Sequence, residues 1–319
     1  GRSAILVESK DGTKVMLDYG IRFREDERLP AEADLTGLKA VALTHCHVDH
    51  SGALPSLYNG KEIPFLTNPV TQRLVDLLLR DTLRISSYPY PFGYNEINQL
   101  RRNAFFLKNG IRHRIADDFF ITFYNAGHVP GSVSILVDVD GKRIFYTGDV
   151  NTIPTRLITP ANVSMIPEID ALITECTYAL REHPNRKELE TEFFDQVNEI
   201  IDGGGGVLIP AFGVGRSQEI MMVLHEFNYR RKLFMDGMAK KVSTIYLDHP
   251  ESLKNPSKYR SAYGNVKYVK RRKTRAKAKQ SNAVIIAPSG MLKGGTAIDY
   301  AKTLLNDPSS AVYLVGYQV

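Results

Sequence analysis

The chain has 319 residues, 43% of them hydrophobic and 24% charged, which is enough for one large domain or two ordinary ones with a real core. No apolar run approaches the ~20 residues of a membrane span, and no signal peptide is visible. Two cysteines are too few for a disulfide framework, so we expect a reducing, cytoplasmic setting without a membrane partner. The net charge of +6 favours an anionic partner.

The first half of the chain is predicted to consist mainly of strands. Asp140-Gly141 favours a hairpin turn between the last two of them. Pro69 is suited to begin a helix, which the spacing of apolar residues continues over residues 70–83. The predicted strands are residues 4–8, 15–17, 40–43, 65–67, 119–124, 132–138 and 143–146.

After about residue 175 the pattern changes to alternating helices and strands, which favours a parallel sheet flanked by helices. A domain boundary is therefore expected near residues 176–187. The predicted helices are residues 188–201, 217–227, 240–247 and 297–305, and the predicted strands are residues 207–209, 233–235, 283–287 and 311–315.

Residues 45–50 read H-x-H-x-D-H and directly follow the apolar strand predicted at residues 40–43. Side chains i and i+2 of an extended backbone point to the same side, so His45 and His47 can bind one cation. Asp49 and His50 follow in the turn and can bind a second ion. Imidazole and carboxylate together suit zinc or a similar divalent ion. Four such residues this close together favour a metal site over chance surface histidines.

Two later segments each add one ligand at a strand end. His128, in a glycine-rich loop, completes a set of three histidines. Asp149 can bridge two ions because a carboxylate has two oxygens. Asp18 ends another predicted strand and is a candidate to accept the second N–H of a ligating histidine, although a simple turn-forming role is equally compatible. Two divalent ions lower the pKa of a shared water, so hydrolysis is the expected chemistry.

The order of these residues resembles the metallo-β-lactamase superfamily, whose fold is an αββα sandwich. Glu175, the sequence PAFGVGRSQE at residues 210–219 and the sequence APSGM at residues 287–291 resemble the β-CASP nucleases. The group most similar is that of the archaeal and eukaryotic cleavage and polyadenylation nucleases and RNase J. The resemblance implies a metallo-β-lactamase-like domain over residues 1–180 and an inserted parallel-sheet α/β domain, the β-CASP domain, over residues 181–319.

The resemblance also implies two zinc ions, one bound by three histidines and the other by Asp49 and His50, with Asp149 bridging. The three histidines are His45, His47 and His128. Asp49 would also hold the attacking hydroxide, and Glu175 would pair with a later histidine that supports the leaving group. The family has two further histidines after the β-CASP domain, namely the partner of Glu175 and a last ligand for the second zinc, and this chain ends before them. The resemblance therefore predicts a chain truncated at both ends, with part of the first domain missing and activity impaired.

The function that the resemblance implies is hydrolysis of phosphodiester bonds in single-stranded RNA, by endonuclease or 5′–3′ exonuclease action, as in mRNA 3′-end processing or RNA decay. Residues 267–279 contain eight Lys and Arg side chains that would attract a phosphate backbone, although such runs are often only solvated faces. The glycine-rich turn before Arg216 and Ser217 would present helix amides to an anion. The predicted RNA contacts are Arg216, Ser217, Lys270, Arg271, Arg272, Lys273 and Ser289.

Two alternatives stay open from the sequence. The substrate could be DNA or a small ester, although a small-ester hydrolase would need neither the second domain nor the basic run. The chain could instead be a catalytically impaired fragment or scaffold subunit, against which the intact ligand set argues. The aromatic segment at residues 87–94 could stack on bases, but a packed loop is the preferred interpretation. Cys46 and Cys176 are expected to pack rather than to bind metal. A homodimer is compatible with the sequence but not specified by it.

Overall fold

The computed structural model describes residues 2–22, 28–280 and 282–316 of the chain. These form two compact units. The first unit comprises Gly1–Pro154 and Ile158–Cys176, and the second comprises Thr155–Leu157 and Thr177–Val319. Among the described residues, no helix combines the length and apolar character needed to cross a membrane.

In its described part, the first unit contains two five-stranded sheets. The first sheet runs in chain order, with β1 and β2 antiparallel and the later neighbours parallel. The second is an antiparallel meander whose last strand joins in parallel. The first sheet holds β1 (Ile5–Glu8), β2 (Lys14–Leu17), β3 (Leu38–Ala42), β4 (Phe65–Thr67) and β5 (Ala104–Phe106). The second holds β6 (Arg112–Ala116), β7 (Phe119–Asn125), β8 (Val133–Val139), β9 (Lys142–Tyr146) and β10 (Ala171–Ile173).

Alternate side chains of the two sheets face each other and form the core of the first unit. Val15 and Leu17 on β2 belong to one buried cluster with side chains of the second sheet, among them Phe119, Phe123 and Ile135. On the opposite face of the first sheet, Phe65 packs against helices α2 (Pro69–Ile85) and α3 (Tyr94–Arg102). This arrangement gives the layers of a sandwich, and it leaves the carboxyl ends of β2 and β3 at one edge.

Helix α2 begins where the sequence predicts, because the Asn68 side chain accepts a hydrogen bond from the Thr71 amide and Pro69 occupies the first turn. The hairpin between β8 and β9 is also confirmed. Asp140 and Gly141 both have positive φ, 50° and 74°, which is the backbone conformation that a two-residue hairpin turn requires.

The second unit is built on a parallel sheet with the strand order β13-β12-β14-β11-β15. β11 and β14 are buried along their whole length, which explains why both read as continuous apolar runs. The strands are β11 (Val207–Pro210), β12 (Leu233–Met235), β13 (Lys267–Tyr268), β14 (Val284–Ala287) and β15 (Ala311–Val312). The helices are α4 (Arg186–Asp202), α5 (Arg216–Glu226), α6 (Ala239–Asp248), α7 (Pro256–Gly264), α8 (Arg272–Lys279) and α9 (Gly295–Leu304).

Several elements escaped the sequence prediction because they bury few side chains. Helix α3 buries only Ile97 and Leu100, and α8 buries only Ala278, so neither shows a broad apolar stripe. Strands β5, β6, β10 and β13 are short or largely exposed and lack a clear alternation. The aromatic segment at residues 87–94 packs as preferred, since the rings of Tyr90 and Phe92 stack 5.3 Å apart and Phe92 is buried.

Candidate metal centre

The H-x-H-x-D-H motif lies where β3 ends and the single-turn helix α1 (Val48–Ser51) begins. His45 is fully buried, whereas His47 and Asp49 are partly exposed at the edge of the first unit. His128 follows β7 and Asp149 follows β9, so strand ends from both sheets supply side chains to one place. The structure therefore brings together the ligand-type residues that the sequence singles out in this unit.

Four of these side chains converge closely enough to share one ion. His47 Nδ1 lies 3.0 Å from His45 Nε2 and 3.2 Å from His128 Nε2. Asp149 Oδ2 lies 3.6 Å from His45 Nε2 and 3.4 Å from His128 Nε2. All four ligand atoms fall within 4.8 Å of one another. Such separations suit a cation whose bonds to nitrogen and oxygen are about 2.0–2.2 Å long.

The other oxygen of Asp149 faces a second group of side chains. Asp149 Oδ1 lies 3.3 Å from His50 Nε2, which in turn lies 4.0 Å from Asp49 Oδ2. One carboxylate thus turns one oxygen toward three histidines and the other toward His50. This is the arrangement that a carboxylate bridging two ions would need.

The electrostatics of the cluster also fit a cation. Burial and the neighbouring histidines lower the pKa of His45 well below its ordinary value, and they lower the pKa of His128 to about 4. The lowered pKa values of His45 and His128 keep both rings neutral near pH 7, so each can direct a lone pair into the space that they share, where a divalent ion would accept it. Burial opposes ionisation of Asp149, but hydrogen bonding and charge from His50 outweigh it and lower its pKa to about 2.

Asp18 organises the side of the cluster that lies away from solvent. It is fully buried and its backbone has φ = 57°, at the carboxyl end of β2. Oδ1 accepts a 2.7 Å hydrogen bond from the Thr44 amide, and Oδ2 accepts bonds from Thr44 Oγ1 at 2.8 Å and from His50 Nδ1 at 2.6 Å. Burial opposes protonation of His50, but Asp18, Asp149 and Asp49 outweigh it and raise its pKa to about 10.

Thr44 extends this network to His45. Its hydroxyl donates to Asp18, so its oxygen can accept the proton on His45 Nδ1, 3.1 Å away. His45 Nε2 is then left with a lone pair facing His47 and Asp149. The hydrogen-bond network thereby orients both histidines with Nε2 toward the ligand cluster.

Two glycines allow the backbones around the cluster to approach closely. A Cβ on Gly20 would lie 1.7 Å from the carbonyl oxygen of Asp49. A Cβ on Gly148, which has φ = 56°, would lie 2.7 Å from Thr44 Cβ. The residue before Asp149 must therefore be glycine for β9 to end beside Thr44.

Comparison with known proteins agrees with this geometry. Residues 13–184 match the family model described as the beta-lactamase superfamily domain, and residues 217–319 match the Beta-Casp domain. The chain belongs to the β-CASP group of the metallo-β-lactamase superfamily.

Three relatives show how far the similarity extends. "RNase aCSPSF2" of Saccharolobus solfataricus is 38% identical over the whole chain, which spans 65% of that protein. "Probable RNase MJ4" of Methanocaldococcus jannaschii is 34% identical, and the chain spans 77% of it. "Transcription termination factor FttA" of Thermococcus kodakarensis is 33% identical, and the chain spans 54% of it.

Glu175, which the resemblance assigns to a β-CASP motif, lies just after β10, in the first unit. Its Oε1 accepts a 3.1 Å hydrogen bond from the Val150 amide, one residue after Asp149. Cys46 is buried, as expected for a packing residue between His45 and His47. Cys176 is exposed, so the expectation that it packs is wrong. It follows β10, an edge strand that pairs only with β9 among the described strands and leaves Leu172 exposed too.

The residues predicted to contact RNA differ in how accessible they are. Ser217 is fully buried and its hydroxyl donates to the Phe212 carbonyl, so this side chain is removed from the set of RNA contacts. Arg216 is exposed at the start of α5, and Ser289 is half-buried after β14.

The basic run of residues 267–279 consists of strand β13, a connection and helix α8. Arg275 and Lys279 are paired, with Asp236 and Asp299 respectively. The four cations in the densest part are exposed and form no ion pair with any described carboxylate. They are Lys270, Arg271, Arg272 and Lys273.

Proposed function

We propose that this chain carries the catalytic machinery of a metal-dependent ribonuclease that hydrolyses phosphodiester bonds in single-stranded RNA. The observation that carries the proposal is the carboxylate of Asp149, whose two oxygens face two separate groups of ligand-type side chains. Membership of the β-CASP group and relatives named as RNases support the choice of RNA as substrate.

The imidazoles and carboxylates of the cluster suit zinc, and two ions are proposed. One would be held by His45, His47 and His128, and the other by Asp49 and His50, with Asp149 shared between them. Bound zinc would supply a water of lowered pKa and a positive charge for the oxygens of the scissile phosphate. Thr44 and Asp18 hold the imidazoles in the orientation that this binding requires.

Two carboxylates are proposed to act on the reacting groups. Asp49 is partly exposed, so its free oxygen can orient the attacking water at the edge of the cluster. Glu175 accepts a hydrogen bond from the Val150 amide. It is proposed to orient the later histidine that the family resemblance implies, which would protonate the leaving oxygen. Hydrolysis would leave a 5′-phosphate on one product and a 3′-hydroxyl on the other.

We propose a division of labour in which the metallo-β-lactamase-like domain, residues 1–180, binds the ions and the β-CASP domain, residues 181–319, binds the RNA backbone. The exposed cations of residues 270–273 together with Arg216 and Ser289 are the proposed contacts. Low cysteine content supports a cytoplasmic setting for the reaction.

The test is cleavage of single-stranded RNA, labelled either at the 5′ end or internally, by zinc-loaded full-length protein. Asp49→Ala should reduce the rate by at least ~100-fold, because it removes a group that orients the attacking water. Asp117→Ala is the matched control, since this exposed carboxylate pairs only with Arg114 among the described residues. Unchanged cleavage by Asp49→Ala would contradict the assignment, and equal cleavage of DNA of the same sequence would contradict the choice of RNA.

A further inference from the structure

The hydroxyl of Tyr146 lies behind the metal cluster, where the fold provides it with a specific partner. Tyr146 is the last residue of β9, three residues before Asp149, and it is 5% exposed. Its phenol donates a 2.8 Å hydrogen bond to Asp18 Oδ2. The sequence offers only a weak signal for this residue, a hydroxyl at the end of an otherwise apolar strand.

The acceptor of that hydrogen bond, Asp18 Oδ2, accepts three hydrogen bonds from the described residues. Asp18 Oδ2 accepts from the phenol, from Thr44 Oγ1 at 2.8 Å and from His50 Nδ1 at 2.6 Å. The donors come from β9, from the turn after β3 and from α1, so elements of both sheets fix one oxygen. A carboxylate held from three directions cannot rotate without breaking a charge-assisted hydrogen bond.

We propose that Tyr146 is a positioning residue for the second ion, acting through Asp18 on His50. The phenol holds Asp18 Oδ2 in the place where it receives the proton on His50 Nδ1. His50 Nε2 then faces Asp149 Oδ1 across 3.3 Å. This inference rests on the proposed two-ion site and assigns the phenol a role in its affinity.

A packing role alone would make a different prediction. The Tyr146 side chain also belongs to the core cluster between the two sheets, where its ring contributes buried apolar area. Tyr146→Phe keeps the ring and removes only the hydroxyl. Tyr58→Phe is the matched control, because the Tyr58 hydroxyl is equally buried but has no hydrogen-bond partner among the described residues.

The first experiment titrates zinc into metal-free full-length protein, with His50→Ala marking the step that needs His50. Tyr146→Phe should weaken that step by about 10-fold, the usual effect of losing an outer hydrogen bond to a ligand. The step carried by the three histidines should stay within about twofold of wild type, and Tyr58→Phe should leave both steps unchanged.

The second experiment follows the proton on His50 Nδ1 by NMR in the metal-free protein. The resonance should move in Tyr146→Phe, because the phenol no longer holds Asp18 Oδ2 against His50 Nδ1. It should not move in Tyr58→Phe. An unmoved resonance together with unchanged zinc binding in Tyr146→Phe would overturn the inference. Failure of wild-type protein to bind a second zinc would instead contradict the two-ion proposal.

Discussion

At the scale of single residues, the ligand cluster depends on close backbone approaches at Gly20 and Gly148 and on hydrogen bonds to Asp18. The six ligand-type residues could be identified from sequence because each follows a predicted strand and because their order is that of a known family. Thr44 and Tyr146 could not, since a hydroxyl gains its role only when a distant carboxylate, here Asp18, is brought to it. The burial of the Ser217 side chain could not be predicted either, because the local sequence does not show whether a hydroxyl points to solvent or to the core.

Gly148 gives a test at this scale. Gly148→Ala would place a methyl group 2.7 Å from Thr44 Cβ at a left-handed backbone position. We expect it to destabilise the first unit by about 2 kcal/mol more than the strain of the backbone alone, because the overlap cannot relax without moving Thr44. Zinc affinity should fall as well, since Asp149 is the next residue.

Gly141→Ala separates the cost of backbone strain from the cost of the overlap with Thr44. Gly141 also has a positive φ, of 74°, but a Cβ there would meet nothing within 4 Å. It should therefore report the backbone cost alone, about 1–2 kcal/mol. Equal urea midpoints for Gly148→Ala and Gly141→Ala would show that the close contact between residue 148 and Thr44 does not reduce the stability of the variant.

At the scale of elements, strands that are buried on one or both faces were predictable, and short helices with one or two buried side chains were not. β11 and β14 could be read from their apolar runs, and α2 from its spacing and cap. Helix α8 has one buried residue and five cations in eight positions, so its sequence carries charge but little periodicity. Tertiary contacts rather than an apolar stripe hold it, chiefly the ion pair between Arg275 and the fully buried Asp236.

Asp236 should therefore stabilise the second unit. It accepts hydrogen bonds from Arg275 at 2.7 Å and from Tyr300 at 3.0 Å, and Lys240 lies 3.3 Å away. Asp236→Asn would leave two cations without their carboxylate and should cost about 3 kcal/mol of unfolding free energy. Asp248→Asn, at an exposed site in the same unit, should cost almost nothing.

The effect should depend on pH in a defined direction. Burial opposes ionisation of Asp236, but Arg275, the Gly237 amide and Tyr300 outweigh it and lower its pKa. A lowered folded-state pKa means that the stabilisation is complete above the unfolded value of about 3.9 and is lost as the pH falls through the folded-state pKa. The difference in stability between wild type and Asp236→Asn should thus be largest near neutrality and shrink in acid. A difference that grew in acid would rule out this ion pair as the cause.

The exposed cations of residues 270–273 lead to a separate prediction for RNA binding. Changing Lys270, Arg271, Arg272 and Lys273 to glutamine should weaken binding to single-stranded RNA. It should also reduce the slope of log K against log salt by about 0.7 for each phosphate that the protein no longer neutralises.

The matched control changes four exposed cations that each already have a carboxylate partner. These are Arg114, Lys142, Arg231 and Lys258. Both variants lower the net charge equally, so a difference in slope reports location rather than total charge. The same slope for both variants would remove residues 270–273 from the proposed RNA surface.

At the scale of the whole molecule, the change near residue 175 from mainly strands to alternating helices and strands predicted two domains. The structure has two compact units. The short segment Thr155–Leu157 belongs with the second unit, although it lies within the sequence of the first. Its amides at Arg156 and Leu157 donate to the buried Glu219 on α5, and Arg156 pairs with Glu190 on α4. The position of Thr155–Leu157 in the second unit depends on contacts with residues far away in the sequence. No local sequence pattern could therefore predict it.

The contrast between the two cysteines has a practical consequence. Burial raises the pKa of Cys46 to about 12, whereas Cys176 is exposed directly after Glu175. A maleimide dye should therefore attach to one position in the native fold and to two once the chain is unfolded in denaturant. Fluorescence or spin labels can then be placed beside the proposed catalytic glutamate in the unaltered polypeptide, with no need to engineer a new attachment point.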